Sequence, residues 1–266
     1  MNEFEGKRVV VTGASGVFGR WITAAFAEAG ARVCLSDNRA ETLETARAAL
    51  SGEGHLIHTT ELTEAASIDA LVDHVAAAWD GADIVVNNAG VYPSGHLIDL
   101  SVEEWDRIWS VNLRAPFLVA RGFARLMAAR GIAGSIVNIG SGAARNMRAT
   151  TVHYCATKTA LERLTKGMAL EFAPFGIRVN IVEPGFAPGS EVSPLTEAHV
   201  TRVLSNIPLG RASGPKDAPA AIMYLCSADA GFVTGTVLSV DGGNSIGAAA
   251  TYPDDIRERL DRWKTR

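Results

Sequence analysis

The chain is expected to fold as α/β, a single-domain Rossmann fold with a doubly wound, mostly parallel sheet. Three observations carry that expectation. Short Val-rich strands alternate with helix-like segments along most of the chain, the pattern of consecutive βαβ units. The strands show little polar alternation, as in a sheet covered on both faces. The first strand runs straight into a glycine-rich turn and a helix follows, the usual opening of such a sheet.

The elements follow in order. Strands are expected at Arg8–Thr12, Arg32–Ser36, His55–Thr59, Asp83–Asn87, Ser135–Ile139, Arg178–Val182 and Val237–Val240. Helices fill the gaps at Gly19–Ala29, Ala40–Leu50, Ala65–Trp79, Val102–Arg130, His153–Phe172 and Lys216–Ser227. In the fifth of these, Leu161, Leu164, Met168 and Phe172 recur at helical spacing. Two regions break the alternation. Pro184 to Pro208 is rich in Gly, Pro and Ser, with a short helical stretch near Thr196–Leu204. A loop that long is usually functional, and residues 186–208 read as a lid over a site. The tail, 253–266, places Ile256, Leu260 and Trp263 on one helical stripe. It reads as a short amphipathic helix docked on this subunit or a neighbour. Residues 1–252 then form one domain, with no internal repeat or low-complexity tract.

Composition excludes several classes. The 266 residues suffice for one sizeable core. The formal charge of −4 comes without any basic run that could track nucleic acid. No apolar run reaches the roughly 18 residues that span a membrane. The acidic start, Met1-Asn2-Glu3-Phe4-Glu5, is unlike a signal peptide. Cys34, Cys155 and Cys226 are far apart and odd in number, which fits reduced thiols in a cytoplasmic protein rather than a disulfide framework or a metal site.

Two features carry chemistry. The first is Thr12-Gly13-Ala14-Ser15-Gly16-Val17-Phe18-Gly19, between a strand and a helix. Glycines there let the backbone approach a pyrophosphate, which sits on the helix N-terminal amides. Asp37, 18 residues past Gly19, ends the second strand. An acid there can accept from ribose hydroxyls and repels a 2′-phosphate, favouring NAD, while Arg39 nearby keeps NADP open. Glu61 and Leu62, after the third strand, lie where an adenine edge could be met, or Glu61 is an exposed loop acid. The second feature is Tyr154 and Lys158, four residues apart on one helix face. A fixed ammonium favours the phenolate and turns a phenol of pKa about 10 into a usable acid/base.

With these pieces in order the chain resembles the short-chain dehydrogenase/reductase family, in its short single-domain branch, over nearly its whole length. The resemblance rests on Thr12–Gly19, Asn87-Asn88-Ala89-Gly90, Asn112 in Ser110-Val111-Asn112-Leu113, and Ser141 in Val137-Asn138-Ile139-Gly140-Ser141. It continues through Tyr154…Lys158, Asn180…Pro184-Gly185, Pro208-Leu209-Gly210-Arg211 and Val240-Asp241-Gly242-Gly243. It implies a catalytic tetrad of Asn112, Ser141, Tyr154 and Lys158. Tyr154 would exchange a proton with the substrate hydroxyl or carbonyl, and Ser141 would hydrogen-bond the same oxygen. Lys158 would hold the nicotinamide ribose and lower the tyrosine pKa, and Asn112 would anchor a water that passes protons to Lys158. A cofactor would meet Gly13, Ser15, Gly16, Val17, Phe18, Gly19, Asp37, Glu61, Leu62, Asn88, Ala89, Gly90, Tyr154, Lys158, Pro184, Gly185 and Phe186. The resemblance also implies a homo-oligomer, dimer or tetramer, paired through the helices Val102–Arg130 and His153–Phe172.

The sequence departs from the family at two places. Glycines at 13, 16 and 19 give the TGxxGxxG spacing of the larger, epimerase-like branch, with Val17 at the usual middle-glycine place. Gly189, followed by Ser190, stands where a threonine often meets the carboxamide. Pocket candidates are Tyr92, Pro93, Ala143, Arg145, Met147, His153, Phe186, Glu191 and Val192, with Arg145 or Arg148 available to an anionic substrate. The expected activity is NAD-dependent hydride transfer on a small secondary alcohol or ketone, sugar or polyol. The rivals are an epimerase- or dehydratase-like enzyme, suggested only by the glycine spacing, and a non-catalytic NAD(H)-binding regulator.

Overall fold

A computed structural model describes residues 3–189, 196–247 and 256–264. Seven strands form one parallel sheet in the order β3-β2-β1-β4-β5-β6-β7. They are β1 Arg8–Thr12, β2 Arg32–Asp37, β3 Leu56–Thr59, β4 Ile84–Asn87, β5 Ser135–Ile139, β6 Arg178–Pro184 and β7 Val237–Val240. The helices are α1 Val17–Glu28, α2 Ala40–Ala48, α3 Ala65–Trp79, α4 Val102–Trp109, α5 Ala115–Ala129, α6 Val152–Phe172, α7 Glu197–Asn206, α8 Asp217–Cys226 and α9 Ile256–Lys264. The expected doubly wound sheet is the observed one.

Burial on both faces explains the Val-rich strands. One face packs against α3, α5 and α6 through Ile68, Leu71, Val75, Phe123, Met127 and Met168. The other packs against α1 and α8 through Ile22, Phe26, Ile222 and Leu225. A polar thread crosses the first layer. Asn87 Nδ2 donates to Asn138 Oδ1 at 2.8 Å, and Asn138 Nδ2 donates to Thr165 Oγ1 at 2.8 Å. It ties β4, β5 and α6 together with every buried amide donor used, as a low-dielectric interior requires.

Three expectations change. The helix over Val102–Arg130 is three pieces, α4, a π-helical turn at Ser110–Arg114, and α5. Pro116 explains the break, since it has no amide to bond the Asn112 carbonyl and its ring crowds that carbonyl. The Ala115 amide reaches back to Ser110 instead, and the ladder widens by one residue. β6 runs two residues further than expected, to Pro184, which carries Glu183 to the site end of the sheet. α1 begins at Val17, two residues before Gly19.

The lid region contains α7, with Thr196 capping it through the His199 amide, while residues 190–195 lie outside the described residues. The tail contains α9 as expected, but the side chains of Leu260 and Trp263 lie outside the described residues. Among those described, no helix is long and apolar enough to cross a membrane.

The order of the sheet reverses between β1 and β4, because β2 lies to one side of β1 and β4 to the other. Crevices outside the C-terminal ends of the strands at such a switch point are where ligands bind in open α/β sheets. Thr12, Asn87, Ile139 and Pro184 end their strands there.

Phe123 lies fully buried at the centre of the α5 face. Phe123→Ala should destabilise the protein by about 3–5 kcal/mol. The check is a lower urea midpoint with an unchanged slope.

Candidate active site

The turn after β1 is built by steric exclusion. Gly13 has φ 63°, and a Cβ there would fall 2.7 Å from Ala89 Cα. A Cβ on Gly19 would fall 2.1 Å from the Gly13 carbonyl oxygen. Gly16 caps α1 and supplies no side-chain oxygen. The first-turn amides of α1 are therefore open to an anionic group.

The neighbouring side chains turn away from that space. The Ser15 amide donates to Asp37 Oδ2 at 3.0 Å, and its hydroxyl accepts from Thr42 at 2.7 Å. Phe18 sits edge-on to Trp21 and packs on the α1 side of the core. The Ser15 amide is thus taken by Asp37 and the Phe18 ring by the core, which leaves the first-turn amides of α1 as the cofactor contacts of this turn.

Asp37 ends β2 as expected and is 8% exposed. Besides Ser15, it accepts from the Arg39 amide at 3.2 Å and from Arg39 Nε at 3.3 Å. A carboxylate offers about four acceptor positions, so room remains for a ribose hydroxyl. Glu61 is spent locally. Its Oε1 accepts from the Thr63 amide and hydroxyl, at 3.0 and 2.9 Å, and the Thr63 amide bond holds its carboxyl below the usual range. Leu62 packs into the core beside α3 and α5. The structure thus gives Glu61 a turn-capping place and Leu62 a packing place.

The turn after β4 gathers the rest. Asn88 Nδ2 donates to the carbonyls of Thr12 and Gly13, at 3.0 and 2.9 Å. Thr12 Oγ1 accepts from the Asn88 and Ala89 amides, at 3.1 and 3.2 Å. A Cβ on Gly90 would lie 3.5 Å from Asn112 Oδ1 and 3.7 Å from Lys158 Nζ, so these two side chains converge on Gly90. Asn112, fully buried in the π turn, bonds Val91 in both directions. Its Oδ1 accepts from the Val91 amide at 2.9 Å, and its Nδ2 donates to the Val91 carbonyl at 2.7 Å. Nδ2 also reaches Thr157 Oγ1 at 3.3 Å.

On α6, Lys158 Nζ donates to the Ile139 carbonyl at 2.7 Å and lies 5.8 Å from the centre of the Tyr154 ring. Burial pulls Lys158 down to about 8. Burial also pushes Tyr154 up to about 12, while a hydrogen bond with Ser141 and the charge of Arg148 work in the lowering direction. Loss of water is the largest influence on both groups and moves them in opposite directions.

The mouth of the site is shaped by residues 92–96 and 145–151. Tyr92 stands edge-on to Tyr154, ring centres 6.2 Å apart. His153 is fully buried and bonds the Pro93 carbonyl at 3.0 Å, which makes it a support under this loop. Thr150 takes φ 66°, a left-handed conformation that costs a β-branched residue energy. It is held by Ser94 Oγ at 2.9 Å and by the Gly95 amide at 2.8 Å. Met147 and Arg148 are exposed beside it. Arg145 is committed elsewhere, to Glu183 at 2.5 Å and to Ser239 and Ser245 at 2.9 and 2.7 Å, and so is removed from the candidates for an anionic substrate.

After β6, a Cβ on Gly185 would meet Asp241 Cα at 2.9 Å. The Phe186 carbonyl accepts from the Ser213 amide at 2.8 Å. Gly189 has φ 99°, a backbone that suits glycine and strains the threonine often found there. Ser190, Glu191 and Val192 lie outside the described residues. No group of metal-ligating side chains occurs among the described residues.

Reading the sequence assigned no role to Thr157 or Glu183. Thr157 is an ordinary threonine with no pattern to mark it. Glu183 interrupts an apolar strand, and that interruption is a readable signal.

Comparisons with known proteins agree with this geometry. Residues 13–245 match the family model described as "Enoyl-(Acyl carrier protein) reductase". Galactitol 2-dehydrogenase of Agrobacterium fabrum is 31% identical over 250 residues, 90% of this chain and 97% of that protein. A short-chain type dehydrogenase/reductase from Mycobacterium marinum superposes with a TM-score of 0.83 at 32% identity, over 91% of this chain and 96% of that one. A 3-ketoacyl-(acyl-carrier-protein) reductase from Brucella melitensis, solved with NADH, gives 0.83 at 32%, over 91% and 99%.

The buried ammonium has a stability consequence. Lys158 has a lower pKa folded, about 8, than its ordinary 10.5, so the unfolded chain binds more protons between these values. Stability therefore rises with pH across that window. Lys158→Met should stabilise the cofactor-free protein at neutral pH by about 1–3 kcal/mol, with the gain fading towards pH 10. Thermal unfolding of both proteins from pH 7 to 10 is the check, and a constant difference would contradict it.

Proposed function

The chain belongs to the short-chain dehydrogenase/reductase family of oxidoreductases, and from that premise we propose that it is an NAD-dependent enzyme oxidising secondary alcohols or reducing ketones, sugars and polyols included. The observation that carries the proposal is the convergence of Asn112 Oδ1 and Lys158 Nζ on Gly90, with the Tyr154 ring 5.8 Å from Lys158 Nζ and Ser141 near enough to pull the phenol's pKa down. That set offers one substrate oxygen two hydroxyl partners, next to a buried cation.

The residues fit a nicotinamide dinucleotide. The Gly13–Gly19 turn and the open start of α1 suit the pyrophosphate, and Asp37 suits the adenosine ribose. The end of β4 and Pro184-Gly185 flank the nicotinamide end. When bound, nicotinamide supplies the hydride acceptor or donor. Tyr154 Oη exchanges the proton at the substrate oxygen, and Ser141 Oγ donates to that same oxygen. Lys158, at about 8, is poised near working pH to take and return that proton. Asn112 fixes the backbone over Lys158, since its amide is already bonded to Val91 and Thr157. Residues 186–208 close over the substrate as a lid. Support for NAD comes from Asp37, whose charge opposes a 2′-phosphate, and from the NADH carried by the Brucella relative. A polyol is supported by the galactitol dehydrogenase relative. The Arg148 charge beside Tyr154 adds carboxylated polyols to the range.

The test is a panel of secondary alcohols, polyols and sugar acids assayed with NAD and NADP in parallel. Turnover should favour NAD, and Tyr154→Phe should lower kcat by a factor of about 100 or more while NADH still binds. Tight NADH binding without turnover of any panel member would instead indicate a non-catalytic regulator.

Family members are typically oligomeric, and we place the pairing face on α4, α5 and α6. An open groove there is lined by Trp109, Leu113, Phe117 and Leu164, with Phe117 39% and Leu170 78% exposed. Exposed apolar surface of that kind marks an interface. Light scattering should give a dimer or tetramer, and Phe117→Arg should shift it towards monomer. A wild-type monomer at micromolar concentration would refute this.

A further inference from the structure

Beneath the Ser141 turn lies an ionic cluster that the proposed reaction does not use. Glu183, fully buried near the end of β6, pairs through Oε2 with Arg145 Nη1 at 2.5 Å, and the same oxygen accepts from Ser239 Oγ at 2.9 Å. Its Oε1 is buried and meets no donor. Glu162, one helical turn beyond Lys158 on α6, has a buried Oε1 that also meets no donor. Glu183 lies near enough to Glu162 to raise its pKa, so the two partnerless oxygens belong to neighbouring carboxyl groups. With Oε2 of Glu183 taken, Oε1 is the oxygen left to face Glu162. Two ionised carboxylates cannot share a buried contact without a proton between them.

We propose that Glu162 and Glu183 share one proton, and that this acid pair is a positioning device that joins α6, β6, β7 and the Ser141 turn. Each connection is visible. Glu162 stands on the helix that carries Tyr154 and Lys158. Glu183 directly precedes Pro184-Gly185. Arg145 runs from Glu183 to Ser239 and Ser245, and Asn146 Nδ2 donates to the Ser245 carbonyl at 3.3 Å. A Cβ on Gly140 would come 3.0 Å from Glu183 Cγ, so the strand before Ser141 packs directly on this carboxyl.

The charges around Glu162 are known from each side. β6 supplies Glu183, the turn after β5 supplies Arg145, and Lys166 lies one turn along its own helix. From β7 come Ser239 and then Asp241, whose carboxylate accepts from the Gly243 and Ser245 amides. Burial, the bond to Glu183 and the Glu183 charge together raise Glu162 to about 7, against the opposing pull of Arg145 and Lys166. The folded pKa lies above the unfolded value of 4.5. The contribution of the pair is therefore whole below that value and is lost as the pH rises to about 7.

Glu162→Gln keeps a donor to Glu183 at every pH and decides the matter. In cofactor-free protein, the Tm of E162Q minus that of wild type should rise by about 3 °C or more between pH 5 and pH 8. Parallel curves would overturn the shared proton. Infrared difference spectra of the wild-type protein, which need no variant to fold, should show a protonated carboxyl band that disappears between the same pH values. Its absence would also overturn it. Positioning is tested separately: E162Q should hold its kcat at the alkaline end better than wild type, with KM unchanged, and identical kcat profiles would reduce the pair to a structural role. The first two readouts require no substrate, so they stand or fall independently of the proposed reaction.

Discussion

The two-way hydrogen bond between the Asn112 amide and the Val91 backbone is the reference point of this site. It fixes the chain from Asn88 to Pro93, and that segment touches nearly every other part. Asn88 holds the glycine turn, Gly90 lies against Lys158, Tyr92 stands on Tyr154, and Pro93 is carried by His153. The bond exists because Pro116 withholds an amide four residues after Asn112, and the helix widens into a π turn there. A regular helix would rotate Asn112 away from Val91. A single missing N–H in the middle of a helix therefore sets the positions of side chains on three other elements.

Burial, more than pairing, governs the electrostatics. Lys158 is drawn down and Tyr154 pushed up by the same loss of water, so in the cofactor-free protein the lysine titrates before the tyrosine. The Ser141 hydroxyl and the Arg148 charge are the groups acting to lower the phenol. A nearby dinucleotide changes this balance, since negative charge close to Lys158 favours its protonated form. In this reading the acid/base pair is completed by binding and is not stored in the empty site.

Much of this was legible in the sequence because it rests on local rules. Val-rich strands, helical spacing on α6 and the strand–glycine–helix start fixed the sheet and the location of the switch point. Side-chain direction was less legible. Ser15 and Phe18 belong to the glycine turn, yet the Ser15 hydroxyl serves Thr42 and the Phe18 ring serves the core. Arg145 read as a substrate contact because its partner, Glu183, is 38 residues away and meets it only through the pairing of β5 with β6. The spacing of Tyr154 and Lys158 shows their proximity and says nothing of the desolvation that shifts both groups. Long-range partners and burial are properties of the folded chain, and a sequence window contains neither.

The glycine spacing shows how a motif departure can be weighed physically. The demand for glycine in this turn is steric and falls on Gly13, under Ala89, and on Gly19, against the Gly13 carbonyl. Gly16 has φ −74°, which any residue adopts, and a Cβ there would meet only the Gly13 oxygen, at 3.4 Å. Val17 is an ordinary first residue of a helix, where a Cβ carries no penalty. Moving the middle glycine back by one position leaves both crowded points occupied by glycine. The turn keeps its shape, and the spacing that suggested an epimerase- or dehydratase-like enzyme has no structural consequence to support it.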